Sequence, residues 1–216
     1  MARFLCLVSV IPLFLFLSFS THPPASAQEP SFKEAGEKAP PPGLKRKPVH
    51  LRETARPLTP EDVMTLLDKY NFYATCWNYN GNFCNPEGDF KNVFFKNHDN
   101  TVTDRATGLM WQQGGSSKPM TWQEAKAYVE TVNRDAFAGY SDWRLPNVEE
   151  LASLMERSWQ NCDLFIDPVF DKAQRSIWSK DTRDMATAWK ANFHMGIIIH
   201  FPKTADNFVR LVRSVR

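Results

Sequence analysis

The apolar positions of this chain change rhythm several times, and each change marks a segment. An almost unbroken apolar run from Phe4 to Phe19 comes first, behind a single positive residue, Arg3. From Gln28 to Pro57 prolines and charges dominate, including Pro40-Pro41-Pro42 and Lys45-Arg46-Lys47, with hardly an apolar residue. Such a stretch cannot build a core and reads as an extended tether. Helical spacing then begins with Val63, Leu66, Leu67 and Tyr70, behind Thr59 as N-cap, Pro60 at the first helical position and Asp62 as capping acid. This pattern predicts a helix near 60–70. The aromatic stretch from Phe72 to Phe95 is interrupted by Asn80-Gly81 and Asn85-Pro86 and reads as turns and short strands.

Residues 92–112 read as a hairpin: apolar Val93-Phe94-Phe95, a polar turn from Asn97 to Asn100, then Val102 and, after Thr107-Gly108, the apolar Leu109-Met110-Trp111. Thr121-Trp122-Gln123-Glu124 is a capping box, and it opens a helix through Ala125, Tyr128 and Val132. A further helix starts after Pro146, with Asn147 as cap and Glu150 three residues on, burying Leu151, Leu154 and Met155. Strands return at Ile177–Ser179, Ala188–Phe193, Gly196–Phe201 and Phe208–Val215, with a turn at His194-Met195-Gly196. The order predicts an α+β fold, two helices packed on short antiparallel strands and preceded by an extra N-terminal helix.

The first run changes the picture once its flanks are read. Arg3, the apolar stretch and the small-residue site Ala25-Ser26-Ala27 predict a signal peptide over 1–27, cut before Gln28. An uncleaved N-terminal anchor is the alternative. The run is short for a bilayer of roughly 30 Å, and no later apolar stretch is longer than Gly196–Phe201, so no membrane span is expected after cleavage. The expected location is the periplasm, the medium or the cell surface. Residues 28–57 then form a disordered linker and 58–216 one domain. The basic cluster of that linker, continued by His50, Arg52 and Arg56, is either a solvated segment or a contact for anionic cell-surface polymers. The whole chain holds 26 basic and 24 acidic residues, a balance that argues against nucleic-acid binding. In an oxidising compartment Cys76 and Cys84 are the natural disulfide, because they bracket the turn signal Asn80-Gly81. Cys162 is left over, as a buried thiol or a partner for a second chain.

Three segments carry a resemblance. Asp104-Arg105-Ala106-Thr107-Gly108-Leu109-Met110-Trp111, Thr121-Trp122-Gln123-Glu124-Ala125 and Gly139-Tyr140-Ser141-Asp142-Trp143-Arg144-Leu145-Pro146, with Glu150-Leu151, together resemble the Lcl C-terminal domain family. Ile177-Trp178-Ser179, Ala188-Trp189 and the closing Val209-Arg210 and Val212-Arg213 continue it, over roughly 90–216. The resemblance implies a C-type-lectin-like domain, often secreted, which in the collagen-like adhesin of that name recognises sulfated polysaccharides. The chain departs from the family pattern at Lys180, where a serine often repeats, and at Ser214, where a cysteine often stands. It also lacks any Gly-x-y stalk, having only nine glycines in all.

The candidate chemistry is that of a binding module. Asp142, Trp143, Arg144 and Pro146 read as the architecture of a junction between two helices, and Asp104, Gly108 and Trp111 as a turn and its packing. Trp77, Tyr79 and Phe83, inside the cysteine loop, are the aromatics least explained by periodicity and are candidates for a ligand surface. Arg210, Arg213 and Arg216 suit sulfated or carboxylated glycans, or else are buried, salt-bridged arginines of the closing strand. The oxygen-rich run Asp99 to Asp104 lacks the glycine and distant glutamate of a calcium loop and reads as a hairpin turn. His194 and His200 have no third metal ligand nearby in sequence. Neither a serine elbow, a Cys-x-x-Cys, a His-Glu-x-x-His nor a phosphate loop is present, so no enzyme and no cofactor are expected. A glycan or an envelope protein is the expected partner.

Overall fold

Helix starts in this chain are set by reciprocal side-chain caps. Thr59 Oγ1 accepts from the Asp62 N–H while the Asp62 carboxylate accepts from the Thr59 N–H, and α1 runs Pro60–Tyr70 until Asn71 turns left-handed at φ 55°. The same box at Thr121 and Glu124 opens α2, Trp122–Arg134, and at Asn147 and Glu150 opens the short α3, Val148–Ser153. All three caps stand where the sequence predicts them, because each satisfies orphan N–H groups within four residues of chain. The computed structural model describes residues 47–76 and 84–215. The expected signal peptide, the tether up to residue 46, Trp77, Tyr79, Phe83 and Arg216 lie outside the described residues. Among the described residues no helix is long and apolar enough to cross a membrane.

Among the described residues, two antiparallel sheets and three α-helices make the mixed α+β architecture. The first sheet has the order β1-β2-β3-β7, from Phe94–Lys96, Thr101–Asp104, Leu109–Gln112 and Val212–Ser214. The expected hairpin over 92–112 is thus a three-stranded meander, because Gly108 at φ 71° supplies a second turn. The second sheet is β4-β5-β6, from Ser176–Thr182, Thr187–Asn192 and Ile197–Pro202.

The expected strand over Phe208–Val215 is corrected. Phe208 bridges Ile177 of the second sheet, whereas only Val212–Ser214 pairs with β3 of the first. The chain changes sheet between them, so the two sheets are stitched by one segment.

The core divides in two. Leu66, Leu67, Phe72, Trp111, Leu151, Trp189 and Phe193 anchor one cluster; Trp122, Trp143, Trp178, Val209 and Leu211 anchor the other. Trp111, Trp143, Trp178 and Trp189 are all at most 2 % exposed, so these indoles are packing rather than surface.

The linker expected through Pro57 is corrected as well. From Val49, whose N–H donates to Ala106 O, the segment lies on the domain. Arg52 donates to both carboxylate oxygens of Glu149 and of Asp181, and Pro57 bridges Thr182. The basic residue offered as a contact for anionic polymers therefore serves as an internal strap. Lys180 and Ser214, the two departures from the family pattern, meet at this strap: Lys180 Nζ donates to Glu53 O and Ser214 Oγ donates to the Glu53 carboxylate.

Candidate functional site

The family-like motifs take structural positions. Asp104 is fully buried, and its carboxylate accepts from the N–H groups of Val93 and Ala106 and from Thr107 Oγ1. It thereby fixes the turn that Gly108 completes. Trp143 donates from Nε1 to Phe137 O at 2.9 Å, and Asn133 of α2 grips its main chain from both sides at 2.8 Å. Arg144 makes a two-pronged contact to the buried Glu150, at 2.7 and 2.6 Å. Pro146 O accepts from Lys180 N. The Asp142 carboxylate accepts a fork from Arg213 of β7, at 2.7 and 3.2 Å.

Of the terminal arginines, the two described residues Arg210 and Arg213 do not form an outward-facing anion cluster. Arg210 is fully buried, donating to Gly114 O, Asp171 O and Gln174 Oε1. Burial works against its charge and pulls its pKa down to about 9. Arg213 is engaged by Asp142 and lies 3.8 Å over the Tyr140 ring. They do not share one closing strand, because the chain changes sheet between Phe208 and Val212. Asp99 behaves as the turn reading expects, accepting from Thr101 N and Oγ1. His194 and His200 sit apart, the first beside Arg175 and the second against Arg183 and the edge of Trp189.

What the structure does assemble is a groove at the base of the disulfide. Cys76 and Cys84 are bonded, with Cα atoms 4.8 Å apart. Beside Cys76 a cavity of about 500 Å³ is lined by Thr75, Trp159, Phe165, His194 and Met195. Thr75 is held into the β5–β6 turn, its N–H donating to Gly196 O and its hydroxyl to Met195 O. A side chain at Gly196 would meet Thr75 Cγ2 at 2.7 Å, so glycine lets this turn close on the groove. Trp159 stands at the mouth with its residue surface 62 % exposed, edge-on to Phe165, which in turn stacks on Tyr73.

A polar cluster borders the aromatics. Arg175 forks onto Asp163 at 3.0 and 2.5 Å, and its Nη2 lies 2.6 Å from His194 Nδ1. The Arg175 hydrogen bond holds the Asp163 carboxyl below its ordinary range, and Asp163 in return raises the Arg175 guanidinium. The sequence reading missed Trp159. Its one signal is an indole alone among Glu156, Arg157, Ser158, Gln160 and Asn161. The buried-thiol reading of Cys162 is corrected: the residue is exposed, in a tight turn at φ 57° and outside the Cys76–Cys84 disulfide. Among the described residues no group of three or more His, Cys, Asp or Glu side chains is placed to hold a metal ion.

The comparisons with known proteins follow from this ground. No curated protein matches the chain. A sequence model of the Lcl C-terminal domain matches residues 100–213, which include β2, β3, α2, α3, the second sheet and Trp159, but not β1, Thr75 or Cys76. That match spans more than half of the sequence, and the chain belongs to the Lcl C-terminal domain family.

Proposed function

We propose that this chain is an exported, non-catalytic binding module of lectin-like architecture that seats a glycan ring against Trp159. The observation that carries the reading is the exposed indole at the mouth of a 500 Å³ groove, beside the Asp163–Arg175–His194 cluster. Solvent-facing tryptophan is costly unless something covers it, and the flat apolar face of a sugar ring does so while its hydroxyls reach carboxylate and guanidinium groups. A disulfide suits an oxidising compartment, in keeping with export by residues 1–27. Because Arg210 and Arg213 are engaged internally, ring stacking rather than a basic patch is the main source of affinity.

The test is an array of neutral and sulfated glycans probed with the purified protein, with and without calcium, beside Trp159→Ala. Saturable binding that survives chelation and weakens about tenfold or more in the variant supports the reading. Binding unchanged in Trp159→Ala overturns it. Silence across the array, with capture of an envelope protein that Trp159→Ala abolishes, reassigns the groove to protein docking.

A further inference from the structure

A second cavity, of about 490 Å³, shares no lining residue with the Trp159 groove. Its size falls in the range of about 300 to 1,000 Å³ common to small-molecule sites. Its lining includes Gln112 at the end of β3, Tyr128, Phe137, Gly114, Phe170 and Asp171. The polar groups here have fixed roles. Gln112 Oε1 accepts from the Leu211 N–H at 3.0 Å, and a backbone N–H can only donate, so the amide cannot be flipped. The group of Gln112 that remains is therefore its NH₂, a donor, and Tyr128 brings a phenolic hydroxyl that can donate to a ligand.

Three of these lining residues are held by the buried Arg210. Its Nε binds Gly114 O at 2.7 Å, its Nη2 binds Asp171 O at 3.0 Å, and its guanidinium lies 4.8 Å from the centre of the Phe170 ring. No lysine or arginine lines the cavity, and Asp171 is its one charged lining residue. An anion would meet that carboxylate, whereas an uncharged polyhydroxylated ring would find a donor, an acceptor and two phenyl faces together.

We propose that this cavity is a subsite for a single uncharged sugar ring, with Tyr128 as hydrogen-bond donor, Asp171 as acceptor, and Phe137 and Phe170 as apolar walls. It takes its ligand class from the glycan reading above, and nothing from the Trp159 groove. The experiment is an NMR titration of the isotopically labelled protein with the methyl glycosides of glucose, galactose, mannose and N-acetylglucosamine. The Gln112 side-chain amide and the Trp159 indole report separately. Saturable shifts of Gln112 with at least one glycoside are expected. Tyr128→Phe should weaken them about tenfold, the factor for one hydrogen bond of about 1.4 kcal/mol. Gly114→Phe should abolish them, because a Cβ at Gly114 meets nothing within 4 Å and the added ring can enter without moving backbone. The rest of the variant's spectrum reports whether its fold is kept. Trp159→Ala should leave the Gln112 shifts in place. No saturable shift at Gln112 with any of these glycosides overturns the proposal, as do shifts undiminished in a folded Gly114→Phe. Shifts confined to Trp159 overturn it while leaving the groove reading intact.

Discussion

Removing Arg144 should cost this domain more than any surface charge would. Its guanidinium donates at 2.7 and 2.6 Å to Glu150, whose side chain is fully buried, while Arg144 itself keeps 21 % of its side chain exposed. Breaking a buried ion pair from one side costs about 3 to 5 kcal/mol, because the remaining charge stays buried and alone. The partial exposure of Arg144 lets water reach the space it leaves, so Arg144→Ala should fall near the lower end, at about 3 kcal/mol. With a urea dependence of about 2 kcal/mol per molar, the midpoint should drop by about 1.5 M. Arg144→Lys keeps the charge but not the fork and should lose about 1 kcal/mol. Glu150→Gln keeps an oxygen for the Asn147 N–H that the carboxylate now accepts at 2.9 Å, so the cap survives. In the Glu150→Gln background Arg144→Ala should therefore cost clearly less. The assay is urea unfolding followed by tryptophan fluorescence for the four-protein cycle. A loss below about 1 kcal/mol for Arg144→Ala, or equal losses in both backgrounds, would refute the reasoning.

Three further outcomes follow from other parts of the fold. Burial holds the Lys190 ammonium down to about 8, against an ordinary value of 10.5. Between those values the folded chain has released a proton that the unfolded chain still holds, so stability should rise with pH across this window, by on the order of 3 kcal/mol, and be level below it. Lys190→Met should remove that rise in unfolding midpoints measured from pH 7 to pH 11. Reducing the Cys76–Cys84 bond, or replacing both residues by serine, should cost about 2 to 3 kcal/mol for so short a loop, read as a lower urea midpoint. Gly88→Ala would place its Cβ 2.3 Å from Phe72 O and should lose about 3 kcal/mol or more, whereas Gly114→Ala should change stability by less than about 0.5 kcal/mol in thermal melts.

What was legible in the sequence was what three or four neighbouring residues decide. The capping pairs Thr59 with Asp62, Thr121 with Glu124 and Asn147 with Glu150 announce their helices because each pair closes on itself. The tryptophan motifs were legible as packing for a similar reason, since an indole amid apolar neighbours rarely faces water. The strap was not, because Arg52 finds its carboxylates 97 and 129 residues away and its own neighbours have linker composition. Burial of Arg210 was one of the two readings open to it, but its place was not legible, because a regular spacing of arginines suggests one strand and the change of sheet between Phe208 and Val212 leaves no local mark. The groove shows the same limit. Asp163, Arg175 and His194 are unremarkable in their own segments and meet only when the β5–β6 turn comes down beside the 161–164 loop.

The strap also decides how the domain would yield to force. A pull on the chain ahead of residue 47 loads first the Val49–Ala106 hydrogen bond and then the Arg52 fork, before reaching α1 or the disulfide. Peeling residues 47–57 would pay out roughly 35 Å of chain, at about 3.3 Å or slightly more per residue. The two core clusters and the crosslinked loop lie beyond that segment. The strap is therefore a mechanical fuse: it can lengthen under load and re-seat when the load is removed, while the groove that would hold the cargo keeps its shape.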